Sequence, residues 1–226
     1  APAGPPPEAL LAAHGCGAVA LSESESATVL NIDVGGGTTK LCLIRNGVVT
    51  STAAISVGAR LIAFDDEDRV TRLEEPAIVL LNELGFDLSL GQSISEPVKE
   101  AFAARMAKLL SQVIQKIPLT GVTEEFLITD PMEDYQDPSE VDFVVFSGGV
   151  SEYIYGHDAA SYGDLGPQFA RQIGDSLKAV FKEGTVRQAD EGIRATVIGA
   201  GEYTVQASGA TSHLSGVDSL PAFGLQ

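Results

Sequence analysis

Hydrophobic residues fall in short blocks early in this chain and in longer spaced stripes further on. Val29 to Val34 is an apolar block carrying one acidic residue, Asp33, and Leu41 to Ile44 is a second block. Between them stand Gly35, Gly36, Gly37, Thr38 and Thr39. Two short runs divided by a glycine turn predict a β-hairpin. Asn46-Gly47 is a two-residue turn signal, so Val48 to Ser56 follows as a third antiparallel strand, and Val57 to Arg60 ends the meander. Leu61 to Leu73 reads as a hairpin tipped by Asp65, Asp66, Glu67 and Asp68. Those adjacent carboxylates lack the spaced ligands and glycine pivot of a metal loop, so a solvated tip is the reading.

Helical spacing then takes over. Pro76 to Leu84 predicts a helix capped by Gly85. In Ser95 to Ile117, Ser95 can cap and Pro97 suits the first turn. Val98, Phe102, Met106, Leu109, Val113 and Ile117 form one apolar stripe, read as core packing. Pro118 to Glu140 is irregular, with a short strand at Leu127-Ile128, and predicts a flexible surface connection. Val141 to Phe146 is nearly all apolar, as in a strand buried on both faces; Ser147-Gly148-Gly149 and a helix from about Val150 follow. Tyr153 to Gly163 is a loop holding His157, and Pro167 to Phe181 a helix. Ala195 to Ile198 predicts another buried strand, and Gly199-Ala200-Gly201 leads into a helix at Glu202 to Ala207. Thr211 to Leu214 is an edge strand, and the rest a tail. At the other end, a Pro-rich lead-in, Ala1 to Pro7, precedes a short helix, Glu8 to His14, and Ser22 to Thr28 reads as a polar surface loop.

Composition narrows the partners. With 226 residues, 44% hydrophobic and 20% charged, the chain is ordinarily globular. A formal net charge of −17 repels nucleic-acid backbones and anionic lipid, so neither is an expected partner. Nucleotide survives that objection, because Mg²⁺ and a local cluster of N–H groups can overcome an unfavourable global field. No apolar run approaches the roughly 20 residues of a membrane span. Two cysteines, Cys16 and Cys42, support no disulfide framework and fit a reducing, cytoplasmic setting. No secretory signal is read, and the missing initiator Met suggests a processed or excised piece.

Two glycine stretches carry the chemistry. Three consecutive glycines after a strand can aim several N–H groups at one anion, with phosphate the obvious guest, and Asp33 at the strand end can hold Mg²⁺ directly or through water. The alternative is a tight turn with no ligand. It is neither a Walker loop nor a dinucleotide fingerprint, since no Gly-Lys-Ser/Thr closes it and a strand follows where a helix should. Gly148 and Gly149 stand at the C-terminal end of a buried strand, where open α/β sheets bind ligands and bare backbone accepts a flat base or ribose; a turn that merely needs small residues is the other reading.

The resulting order, three antiparallel strands and then strands separated by helices, predicts an α/β, ribonuclease-H-like layered fold. Its mixed five-stranded sheet would run in the order 3-2-1-4-5, as in the lobes of actin, Hsp70 and sugar-kinase ATPases. Asp33 to Thr38 resembles the second phosphate motif of that superfamily and Phe146 to Val150 its adenosine motif; Glu8 to Gly15 resembles the helix connecting the two lobes. AAHGCGA (Ala12 to Ala18), VLNIDVGGGT (Val29 to Thr38), SVGARL (Ser56 to Leu61), SGGVSE (Ser147 to Glu152), DLGP (Asp164 to Pro167) and RATVIGAG (Arg194 to Gly201) are similar, in order and spacing, to the ethanolamine ammonia-lyase reactivating factors, the EutA family.

The resemblance implies one actin-like lobe over 1–226, the second of two, with an inserted subdomain at 57–140. It implies a chaperone-like factor that uses ATP and Mg²⁺ to release damaged cobalamin from ethanolamine ammonia-lyase, with ADP as product and the cobalamin handled on the partner enzyme. Gly35, Gly36, Gly37 and Thr38, with Thr39 beside them, would hold phosphates, and Asp33 would lie near Mg²⁺. Gly148, Gly149 and Val150 would line the adenosine, and Glu152 would reach the ribose. ATP turnover is expected of two lobes, not of this one alone. A small-molecule kinase of the same superfamily and an ATP-binding assembly scaffold are the alternatives. Family use implies the cytoplasm or an ethanolamine microcompartment.

Overall fold

In the computed structural model the described residues are 7–189, 192 and 194–200. The meander forms as its alternation dictates: β1 (Thr28–Val34), β2 (Thr39–Arg45) and β3 (Val48–Ile55) pair antiparallel, with Ile32 opposite Leu41 and Leu41 opposite Ala53. β4 (Ile62–Phe64) and β5 (Val70–Leu73) make a separate two-stranded hairpin. Its acidic tip is structural. The Asp65 carboxylate accepts the amides of Glu67 and Arg69, and Asp68 takes an ion pair from the buried Lys99.

Beyond the hairpin come α3 (Glu75–Leu84) and α4 (Glu96–Ile114), then two short 3-10 turns, Gly121–Phe126 and Pro138–Glu140. β6 (Phe143–Ser147), α5 (Ser151–Ile154), α6 (Gly166–Lys178) and β7 (Val186–Arg187) follow. The main sheet runs β3-β2-β1-β6-β7, the expected 3-2-1-4-5 order, with β6 parallel to β1 and β7 parallel to β6.

Two layers cover the sheet. On one side Leu30, Ile32, Leu41 and Val144 join Phe102, Met106 and Leu109 of α4 and Phe169 and Ile173 of α6 in the larger core. On the other, α1 (Pro7–Gly15) and α2 (Ala18–Ser24) lay Ala13, Cys16 and Ala18 on Val29, Cys42 and Val145. Burial pushes the thiols of Cys16 and Cys42 up to about 12, so they are inert core side chains.

Four expectations change. Ser22 to Thr28 is not simply a loop: α2 runs through Ser24, and the buried Ser22 hydroxyl donates to the Ala27 carbonyl and accepts the Gly47 amide, locking helix to hairpin. The longest helix stops at Ile114. Ser95 makes no side-chain capping bond, and Ile117 lies past the end, about half exposed.

Pro118 to Glu140 is no flexible surface loop but a packed connection, with Leu119, Phe126, Met132 and Tyr135 buried. Lys116 pins it by donating to the carbonyls of Met132 and Tyr135.

The fifth strand is Val186–Arg187, not Ala195 to Ile198; residues 195–200 are helical, with Ala195 and Gly199 buried one turn apart. That helix crosses α1 so closely that a Cβ on Gly15 would strike the Ala195 carbonyl and one on Gly199 the Leu11 carbonyl, which is why both positions are glycine. The expected helix at Glu202 to Ala207, the edge strand at Thr211 to Leu214, the tail and most of the Pro-rich lead-in lie outside the described residues.

Candidate nucleotide-binding cleft

The glycine turn joins β1 to β2 by a single reverse bond, the Gly35 amide donating to the Thr38 carbonyl. Its carbonyls face the segment after β3. The Ala59 amide donates to Gly35 and the Arg60 amide to Gly36, and a Cβ on Gly58 would lie 2.5 Å from the Gly36 oxygen. With the carbonyls held on that side, the amides of Gly36, Gly37 and Thr38 have no acceptor among the described residues. Three successive donors on bare backbone form an anion-binding concavity. Thr39 does not join them: it is buried, and its hydroxyl donates to the Val57 carbonyl, bracing the turn from behind.

The second glycine stretch lies against the first. Parallel pairing of β1 with β6 sets Asp33 beside Ser147. Gly148 then turns with φ of +82°, and a Cβ there would fall on the Val34 carbonyl, so only glycine fits. Val150 donates its amide to the same carbonyl. Gly149 has no neighbour within 4 Å of a would-be Cβ and opens to the cleft.

That cleft holds about 440 Å³. Gly35, Gly36, Ala59 and Arg60 form one wall; Gly149, Val150, Glu152 and Tyr153 form the other; Asp158, Tyr162, Asp164 and Gly166 close it. Every predicted adenosine-side residue but Gly148 lines it, with Gly35 and Gly36 from the phosphate side. Gly148 sits behind as the hinge of its turn.

Asp33 is placed differently from expectation. It is almost fully buried and does not line the cleft. Its carboxylate accepts the Ser147 hydroxyl at 2.9 Å and faces the Lys40 ammonium at 3.6 Å, and Lys40 also pairs with Glu8 of α1 at 3.0 Å. Asn31 continues this polar line, donating to Ser147 Oγ, Cys16 Sγ and the Val145 carbonyl. Among the described residues no three His, Cys, Asp or Glu side chains form a metal cage. A carboxylate already held by a hydroxyl and a lysine is not a direct Mg²⁺ seat; these residues fit the ion only through water.

Sequence reading missed Arg60, Tyr153, Tyr162 and Asp164. Arg60 and Asp164 are 104 residues apart yet pair at 3.1 Å, and Asp164 also accepts the Gly166 amide at the start of α6. The SVGARL and DLGP segments contained both, but nothing local marks them as partners. Burial, with Asp164 and Asp158 nearby, pushes the Tyr153 phenol up to about 12, and it donates to the Ala160 carbonyl. The amide of Ala160 and the Tyr162 hydroxyl hold Asp158 below the usual carboxylate range.

A mixed sheet in the order 3-2-1-4-5, with glycine turns at the ends of its first and fourth strands, defines a ribonuclease-H-like layered α/β lobe. Within that class the chain belongs to one family: the model described as "Ethanolamine utilisation protein EutA" matches residues 1–223. The ethanolamine ammonia-lyase reactivase EutA of Escherichia coli is 34% identical over 220 residues, 96% of this chain and 46% of its own length. That of Salmonella typhimurium is 34% identical over 221 residues, with the same coverage of 96% and 46%. The chain thus spans about half the length of the curated relatives it matches. Among solved structures, MreB5 of Spiroplasma citri bound to ADP aligns over 92% of this chain and 61% of its own at 16% identity, with a TM-score of 0.49. The fold assignment rests on strand order and not on that distant alignment. No described helix is long and apolar enough to cross a membrane.

Proposed function

We propose that this chain is the nucleotide-binding lobe of a reactivating factor that uses ATP and Mg²⁺ to drive damaged cobalamin from ethanolamine ammonia-lyase. The observation that carries the reading is one cleft with Gly35 and Gly36 of the glycine turn on one wall and the open turn at Gly149 on the other. The amides of Gly36, Gly37 and Thr38 have no acceptor among the described residues, although Gly37 and Thr38 do not line the cleft. The names of the curated relatives, ethanolamine ammonia-lyase reactivases, support the lyase as the target, and damaged cobalamin is the cargo in this reading. In this reading Gly36, Gly37 and Thr38 take phosphate oxygens, Gly149 and Val150 lie under the adenosine, and Glu152 reaches the ribose. Asp33 would hold Mg²⁺ only through water, and the ion would offset the charge of the phosphates. The cytoplasm, or an ethanolamine microcompartment, is the setting this function requires.

The lobe supplies binding and electrostatic positioning, the main contributions a protein makes to phosphoryl transfer. We read the inserted subdomain within segment 57–140, which holds β4, β5, α3 and α4, although α4 packs into the core of the lobe itself.

Calorimetric titration of Mg-ATP and Mg-ADP into this chain and into the full-length protein tests the reading. Saturable binding that both Asp33→Ala and Gly149→Val weaken is the expected result. Binding by the full-length protein alone means the site is completed by a second lobe; silence in both sinks the nucleotide reading.

A further inference from the structure

The residues lining the cleft carry three acids, Glu152, Asp158 and Asp164, and one base, Arg60. A polyphosphate would enter against both this local field and the global charge of −17. Arg60 is built into the glycine turn. Its amide donates to the Gly36 carbonyl, and its side-chain stem lies where a Cβ on Gly36 would contact it at 3.4 Å. The side chain is 53% exposed, and only Nε is engaged, by Asp164 Oδ2 at 3.1 Å. Neither Nη group has a hydrogen-bond partner among the described residues. Asp164 is fixed in turn by the Gly166 amide at 2.9 Å.

We infer that Arg60 is a phosphate-binding residue of this cleft, held by Asp164 so that its free Nη groups meet the terminal phosphates beside the amide of Gly36. The planar guanidinium presents parallel N–H groups to phosphate oxygens while Nε stays on its carboxylate, a geometry lysine lacks. Asp164 is then a positioning residue: it costs the site a negative charge but fixes the fork. This assignment rests on the nucleotide reading above and adds what sets phosphate affinity within it.

The test titrates Mg-ATP, Mg-ADP and adenosine into the full-length protein, with the urea midpoint checking the fold of each variant. Arg60→Ala is expected to weaken Mg-ATP by about tenfold or more while changing adenosine by less than about twofold. Arg60→Lys should recover part of the loss. Asp164→Asn, which keeps an acceptor for the Gly166 amide, should weaken Mg-ATP and spare adenosine. Equal Mg-ATP affinity in wild type and Arg60→Ala overturns the assignment while leaving the nucleotide reading intact. Equal losses for ATP and adenosine overturn it too, by making Arg60 a prop of the fold. A wild type that binds none of the three removes both readings together.

Discussion

Gly148 and Gly149 look alike in the sequence and differ in what they do. Gly148 combines a positive φ with backbone pressed on the Val34 carbonyl, so a methyl group there meets strain and a clash at once. Gly148→Ala is expected to lower unfolding free energy by about 2 kcal/mol or more, read from the urea midpoint. Gly149→Ala meets open space and should stay within about 0.5 kcal/mol of wild type. If the two variants are equally stable, the tight packing of this turn on β1 is wrong. The glycine turn itself was legible, because three glycines in a row after a strand leave backbone donors uncovered. Thr39 was misread with them because alternation along β2, which turns its side chain into the core, begins two residues before the apolar run does. Arg60 and Asp164 were illegible for a different reason: an ion pair closed across 104 residues has no local signature.

At the scale of elements, the α4 stripe was readable because spacings of three and four can serve only one face of a helix. Phe102, Met106 and Leu109 are buried under α6 and the sheet as that stripe requires. Phe102→Ala should cost about 3–5 kcal/mol, as a cavity in a core that cannot collapse onto rigid neighbours. A loss under about 1 kcal/mol in urea unfolding would show that α4 is not a core helix. The helix at 195–200 was missed because a short apolar run fits strand and helix equally well; what decides it is contact with α1 through Gly15 and Gly199, which lies far outside the window. Pro118 to Glu140 was misjudged on the same ground. Its irregular backbone is held by Lys116 and by buried side chains such as Tyr135, and neither leaves a periodic trace.

For the whole molecule, charge sets the approach of any ligand. A surface at −17 repels an anionic nucleotide, so raising KCl from about 10 to about 150 mM should speed association of Mg-ATP, opposite to the behaviour of a nucleic-acid binder. Stopped-flow rates that fall with salt would mean that Arg60 and the turn amides outweigh the global field at the encounter. The cleft itself is assembled from positions 35–36, 59–60 and 149–166, and no one of these segments forms a wall without the sheet that holds the others. Ligand binding and folding are therefore linked equilibria. A nucleotide held by the native chain and not by the unfolded one would raise the free energy of unfolding by about 2.7 kcal/mol at one hundred times its Kd. The melting temperature of the lobe is thus a second measure of occupancy, and a titration and a melting curve should return the same constant.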